Sequence, residues 1–191
     1  MGFIKAITDQ IFPLSKESLE LYRSIFVEKK FKKNEIIASE GEIATKFFIL
    51  KEGLVRSFVI DTKGKDHTRS FFVPITTTGS LESLITKQPS HSNYQCLTDC
   101  VLLEGDFLKF EELMETSQEL TTYYAKTLEK VFLIMIERIT ELSTLNATEV
   151  YTNLKKEIPN IDNLIPQYQI ASYLNVTPVQ LSRIRKELYS K

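Results

Sequence analysis

Ile165-Pro-Gln-Tyr-Gln-Ile-Ala-Ser-Tyr-Leu-Asn-Val-Thr-Pro-Val-Gln-Leu-Ser-Arg-Ile-Arg-Lys-Glu-Leu-Tyr189 is the stretch whose reading decides the architecture. Pro166 suits the first turn of a helix, where a missing N–H costs nothing. Ile170, Ala171 and Leu174 fall on one face, and Ala171 is small enough for a tightly crossed partner. Asn175 tolerates the left-handed conformation that ends a helix. Thr177 then caps a second helix, with Pro178 at its first position. Leu181, Ile184 and Leu188 give that helix an apolar stripe. The pattern is helix, tight turn, helix, a helix-turn-helix unit.

Its charge points to nucleic acid. From residue 165 onward Arg183, Arg185, Lys186 and Lys191 face one acid, Glu187, a local excess of +3 in a chain of net charge −1. DNA contact therefore has to come from this patch and not from a basic chain. Val179, Gln180, Arg183 and Lys186 occupy the opening turns of the second helix, where side chains reach base edges in a major groove. Arg183 is the candidate for guanine and Gln180 for adenine. Gln167, Tyr168 and Thr177 are expected to touch phosphates.

Upstream, Asn146-Ala-Thr-Glu149 fits a capping box, opening a helix that runs to about Ile158. Pro159–Asn163 reads as a loop and residues 144–147 as a hinge. A long helix is expected from Glu111 to Leu145. Leu128, Val131, Met135 and Leu142 form one apolar stripe on it, interrupted by Arg138. Phe132, Met135, Ile139 and Leu142 form a second. Two adjacent stripes call for two partners: the front of the same chain and a second copy of this helix.

The front has a different texture. All six glycines, at positions 2, 41, 53, 64, 79 and 105, and eleven of the twelve phenylalanines lie before residue 111. Glycine marks turns and weakens helices. Short apolar runs sit between the turns at Ile36-Ile37, Phe47–Leu50, Leu54–Ile60 and Arg69–Val73, and a last strand pair is expected at His91–Cys96 and Val101–Glu104. Asp61-Thr62-Lys63-Gly64-Lys65 reads as a hairpin tip. This is a β-barrel or sandwich. Residues 3–28 read as one or two short helices.

Composition narrows the chemistry. The 191 residues are 42% hydrophobic and 26% charged, ordinary values for a folded chain. The apolar run Val131–Ile136 is far too short to span a membrane. Cys96 and Cys100 form no disulfide framework and read as buried thiols of a reduced, cytoplasmic protein. His67 and His91 stand alone, without metal-ligand spacing. No phosphate-binding glycine loop or nucleophile elbow is present. The expectation is a protein that is not an enzyme, with no catalytic residue, metal or cofactor.

Taken together, Ser39-Glu-Gly-Glu42, Phe47-Phe-Ile-Leu-Lys-Glu-Gly-Leu-Val55 and Ile170-Ala-Ser-Tyr-Leu-Asn-Val-Thr-Pro-x-x-Leu-Ser-Arg-Ile184 resemble the cyclic-AMP receptor, or Crp/Fnr, family of transcription regulators. The resemblance implies an α+β chain. It comprises an N-terminal cyclic-nucleotide-binding-like jelly roll (1–110), a long dimerisation helix (111–145) and a DNA-binding helix-turn-helix domain (146–191). It implies a homodimer, with double-stranded DNA and RNA polymerase as partners, an unidentified small-molecule effector and no membrane. In the family, a Gly-Glu-Leu turn and an Arg-Ser pair hold a cyclic nucleotide. Here Gly79-Ser80-Leu81 and Ser90-His91, followed by Ser92, stand in those places. The ribose-binding acid and the phosphate-binding arginine are missing, which predicts no tight cyclic-AMP binding. His91 is expected half-buried. The winged hairpin that precedes the family's helix-turn-helix is shortened to about Pro159–Ile165. The alternative reading is a small-molecule-binding protein of the same fold with no specific DNA reading.

Overall fold

The computed structural model describes residues 2–189. Helices α1 (Gly2–Thr8) and α2 (Lys16–Ser24) lead into eight strands: β1 (Phe26–Phe31), β2 (Ile36–Ala38), β3 (Lys46–Glu52), β4 (Val55–Ile60), β5 (Asp66–Phe72), β6 (Thr77–Thr78), β7 (Asn93–Cys96) and β8 (Cys100–Asp106). Helix α3 (Leu81–Thr86) interrupts them between β6 and β7. Two antiparallel four-stranded sheets result, in the orders β1-β8-β3-β6 and β2-β7-β4-β5. This is the expected jelly roll. Gly105 is a glycine because the rings of Phe26 and Phe47 lie over β8. A Cβ there would sit 2.7 Å from both.

Two sequence expectations need correction in this half. Residues 26–28 are strand, not the tail of a helix, because β1 pairs along its whole length with β8. Its outer positions carry Val27, Glu28, Lys29 and Lys30, so no alternation of buried residues announces it. The long helix is two helices, α4 (Phe107–Thr116) and α5 (Gln118–Thr144). Ser117 leaves helical geometry at φ −125°, and its hydroxyl caps α5 by accepting from the Leu120 N–H. Glu119 accepts from the Ser15 N–H at 3.0 Å, and Ser18 meets Ser117 at 3.3 Å. The break thus lets α5 dock on α2. Hydrogen bonds from Ser18 and Ser15 hold the Glu119 carboxyl below its ordinary range.

Beyond α5 the capping signals at Asn146 and Asn175 hold. Asn146 caps α6 (Ala147–Glu157) in a complete capping box with Glu149. A short helix, α7 (Ile161–Leu164), takes the place of the expected loop and shortened wing. Pro166 is the N-cap residue of α8 (Gln167–Tyr173), one position earlier than expected. Asn175 has φ 55°, the left-handed turn predicted for it. The last helix is α9 (Pro178–Tyr189). One apolar cluster unites Val150, Tyr151, Leu154, Ile161, Ile170, Ala171, Leu174 and Leu181, and it also takes in Leu54 and Leu97 of the β-roll. Among the described residues no helix is long and apolar enough to cross a membrane.

Candidate nucleic-acid interface

Helices α8 and α9 meet through Ile170, Ala171, Leu174 and Leu181, all buried. Their outer surfaces are open. Thr177 and Gln180 cap α9 reciprocally: the Thr177 hydroxyl accepts from the Gln180 N–H at 3.2 Å, and the Gln180 amide oxygen accepts from the Thr177 N–H at 2.8 Å. Gln180 is therefore both an N3 capping residue and a surface residue. An adenine contact would have to use the second lone pair of that oxygen or release the cap.

The structure places all seven expected contact residues on the surface: Gln167, Tyr168, Thr177, Val179, Gln180, Arg183 and Lys186 are exposed. Arg183 forms no ion pair among the described residues. Arg185 instead turns back toward Asp162, 3.8 Å away. Asp162 is nearly buried and accepts from the Tyr151 hydroxyl at 2.7 Å. Of the four basic residues behind the +3 excess, Arg185 supports the core and Lys191 lies outside the described residues. Gln180, Arg183, Ile184 and Glu187 also line one side of an open groove of about 610 Å³, whose other side is the α6 N-terminus, Asn146–Glu149. Leu188, expected in the buried stripe, is 39% exposed.

On α5, Leu128 and Val131 are half-buried, whereas Met135 and Leu142 are 54% and 58% exposed. Phe132, Leu133, Ile134, Ile136 and Ile139 are exposed around them. Arg138 does not interrupt this face. It folds inward, donates from Nη2 to the Tyr173 carbonyl at 2.8 Å and stacks 3.9 Å over the Tyr173 ring.

The effector corner is compact. Gly79, at φ 131°, turns the chain into α3, and its Cβ position faces Phe47 at 3.4 Å. Ser80 is fully buried and its hydroxyl has no hydrogen-bond partner among the described residues. Leu81 is half-buried. Ser90 and Ser92 are buried and satisfy each other: the Ser90 hydroxyl donates to the Ser92 carbonyl at 2.7 Å and accepts from the Ser92 N–H at 3.2 Å. His91 is not half-buried. Its side chain is 83% exposed, because the neighbouring serines turn inward. Glu82 accepts from the His91 N–H at 2.9 Å and ties α3 to this loop. Sequence reasoning missed Arg69 of β5, whose Nη1 reaches the Ser92 hydroxyl at 3.4 Å. Burial, helped by the charge of Glu82, pushes the Tyr94 hydroxyl beside them up to about 12. Cys96 and Cys100 are both buried. Among the described residues no three His, Cys, Asp or Glu side chains gather as metal ligands.

Comparison with known proteins adds a domain match and a fold. Residues 28–117 match the cyclic nucleotide-binding domain family. No curated protein matches the chain. Among solved structures, FixK2 from Bradyrhizobium japonicum is 21% identical, with a TM-score of 0.69 over 87% of this chain and 85% of that one. The Thermus thermophilus catabolite activator protein is 19% identical, with a TM-score of 0.59 over 94% and 86%. A protein of the Crp/Fnr family from Eubacterium rectale is 14% identical, with a TM-score of 0.74 over 93% and 84%. The resemblance drawn from the sequence motifs is borne out in its domain family and in its fold.

Proposed function

From a chain that carries a cyclic nucleotide-binding domain within the fold of Crp/Fnr regulators, we propose a homodimeric, sequence-specific DNA-binding transcription regulator. Its units are the β-roll, the dimerisation helix α5 (Gln118–Thr144) and the DNA-binding helices that follow from α6. The observation that carries this reading is the open face of α8 and α9. Seven polar, basic or small apolar side chains stand exposed there on a helix-turn-helix whose inner face is fully packed. Arg183 reads guanine, Val179 and Gln180 complete the readout, Lys186 supports it, and Gln167, Tyr168 and Thr177 fix orientation on phosphates. The seam of Leu128, Val131, Met135 and Leu142 pairs two copies. RNA polymerase is the downstream partner. The β-roll responds to a small molecule other than cyclic AMP, with Gly79, Ser80, Leu81, Ser90, His91 and Ser92 framing its site. Neither the acid nor the arginine that a cyclic nucleotide needs stands in its family place.

Selection of bound duplexes from a random pool tests this directly. The enriched site should be a near-palindrome with half-sites about 34–36 Å apart, or a multiple. Arg183→Ala should cost about 1–3 kcal/mol of discrimination against a scrambled duplex. Gln167→Ala should weaken specific and scrambled duplexes alike. Equal behaviour of the two variants rejects α9 as the reader.

A further inference from the structure

Strand β5 is the outer strand of its sheet, so the backbone groups on its free side have no ladder partner. Ser172 of α8 fills two of them. Its hydroxyl accepts from the Thr68 N–H at 2.9 Å and donates to the Asp66 carbonyl at 3.1 Å. A hydroxyl supplies donor and acceptor from one atom, which this two-point contact requires. The next residue continues the attachment. The Tyr173 ring lies 5.1 Å from that of Phe71 on β5, while Arg138 of α5 holds the Tyr173 carbonyl and stacks over the Tyr173 ring. From beneath, the buried Arg56 guanidinium binds the Asp66 carboxylate at 2.8 Å and the Thr68 hydroxyl at 3.0 Å. The two residues that Ser172 grips are thus anchored from the sheet side as well.

Between them and the effector corner lies a bulge. Ser57 pairs with Ser70 and Phe58 with Thr68, which leaves Arg69 as the extra residue of β5. Arg69 is the side chain that reaches Ser92. One residue therefore adjoins both the corner and the clip.

We propose that Ser172 is a positioning residue for DNA reading: by clipping α8 to the free edge of β5 it fixes the angle at which α9 is presented. The proposal rests on the DNA-binding reading above. Helices α8 and α9 share one buried cluster, so a tilt of α8 carries α9 with it. In a dimer, that tilt changes the separation of the two reading helices.

The experiment uses the full-length wild type, Ser172→Ala and Ser172→Thr. Hydrogen exchange at the Thr68 amide reads the clip. Binding to duplexes carrying the selected half-site at a series of spacings reads the angle. Wild type should protect Thr68 and favour one spacing. Ser172→Ala should lose the protection, and its preference for that spacing should fall by about fivefold to tenfold, as expected for one or two lost hydrogen bonds. Ser172→Thr keeps the hydroxyl and should restore both. A residue that merely stabilised the fold would weaken all spacings equally, and that outcome overturns the proposal. So does an Ala variant whose Thr68 amide stays protected or whose spacing preference is intact. Wild type that binds no duplex defeats the DNA reading and the positioning role with it, while the Thr68 amide still reports separately whether the clip exists.

Discussion

The β-roll and the helical half hold themselves together in opposite ways. In the β-roll, buried polar side chains such as Arg56 find partners ten or more residues along the chain. Arg56 is 3% exposed and binds Asp66, Thr68 and Gln95. Ser92 meets Arg69 from 23 residues away. In the helical half, order comes from caps a few residues apart, such as Asn146 with Glu149 and Thr177 with Gln180. Its long apolar face on α5 and its basic residue Arg183 are left open to solvent. The contrast separates a domain built around internal contacts from one whose contacts await partners, and each can be broken on its own terms.

The largest effect is expected inside the β-roll. Arg56→Ala removes the partner of a mostly buried carboxylate and strips Thr68 and Gln95 of their donors. It should cost about 3 kcal/mol, the lower end for breaking a buried pair, since Asp66 keeps some solvent contact. Urea titration checks this, with Arg183→Ala as the control that should stay within about 0.5 kcal/mol of wild type. A null result for Arg56→Ala would mean that β4 and β5 are held by their ladder alone.

In the helical half, Met135→Asp should act on assembly and not on the fold. Met135 is more than half exposed in the single chain, so the substitution strains nothing there. Against a second copy of the seam it leaves an unpaired charge in an apolar contact, and the dimer should weaken by roughly 100-fold. Sedimentation equilibrium reads this. A monomeric wild type would remove the seam altogether.

How much was legible beforehand follows the same division. Asn146, Asn175, Thr177 and the Asp61–Lys65 tip declare themselves, because each acts on backbone within four residues. The strand Phe26–Phe31 does not, since its existence depends on β8, about 75 residues away, and its outer face is charged. Arg138 looks like a flaw in an apolar stripe until Tyr173 is seen beneath it. Arg69 gives no signal in sequence. Only the bulge in β5 and the fold of the roll bring it to Ser92. The Ser117 break lacks a glutamate at N3 and its helical spacing runs on through it, so it is settled by the docking of α2.

A subtler test concerns the effector corner. Ser80 and Ser90 are small and buried where an acid and an arginine would be needed, so titration calorimetry should show no micromolar affinity for cyclic AMP. Such affinity, lost on Arg69→Ala, would identify Arg69 as a replacement for the missing guanidinium.

The smallest effect lies at the hairpin tip, where the β-roll uses a local device like those of the helical half. The Asp61 carboxylate accepts from His67 Nε2 at 2.9 Å and from the N–H groups of Lys63 and Lys65 at 2.8 and 2.9 Å. These bonds favour the charged form and bring its pKa from 3.8 to about 2, with the His67 bond the largest cause. A carboxyl whose folded pKa is depressed stabilises the fold above its unfolded pKa. That contribution fades as pH falls from about 4 toward 2. His67→Ala should raise the midpoint only part of the way to 3.8, because both backbone donors remain. A carbon-detected NMR titration of the Asp61 carboxyl reads it. A midpoint unmoved by His67→Ala would assign the depression to the turn backbone alone, and a full return to 3.8 would show that Lys63 and Lys65 do not hold the carboxylate in solution.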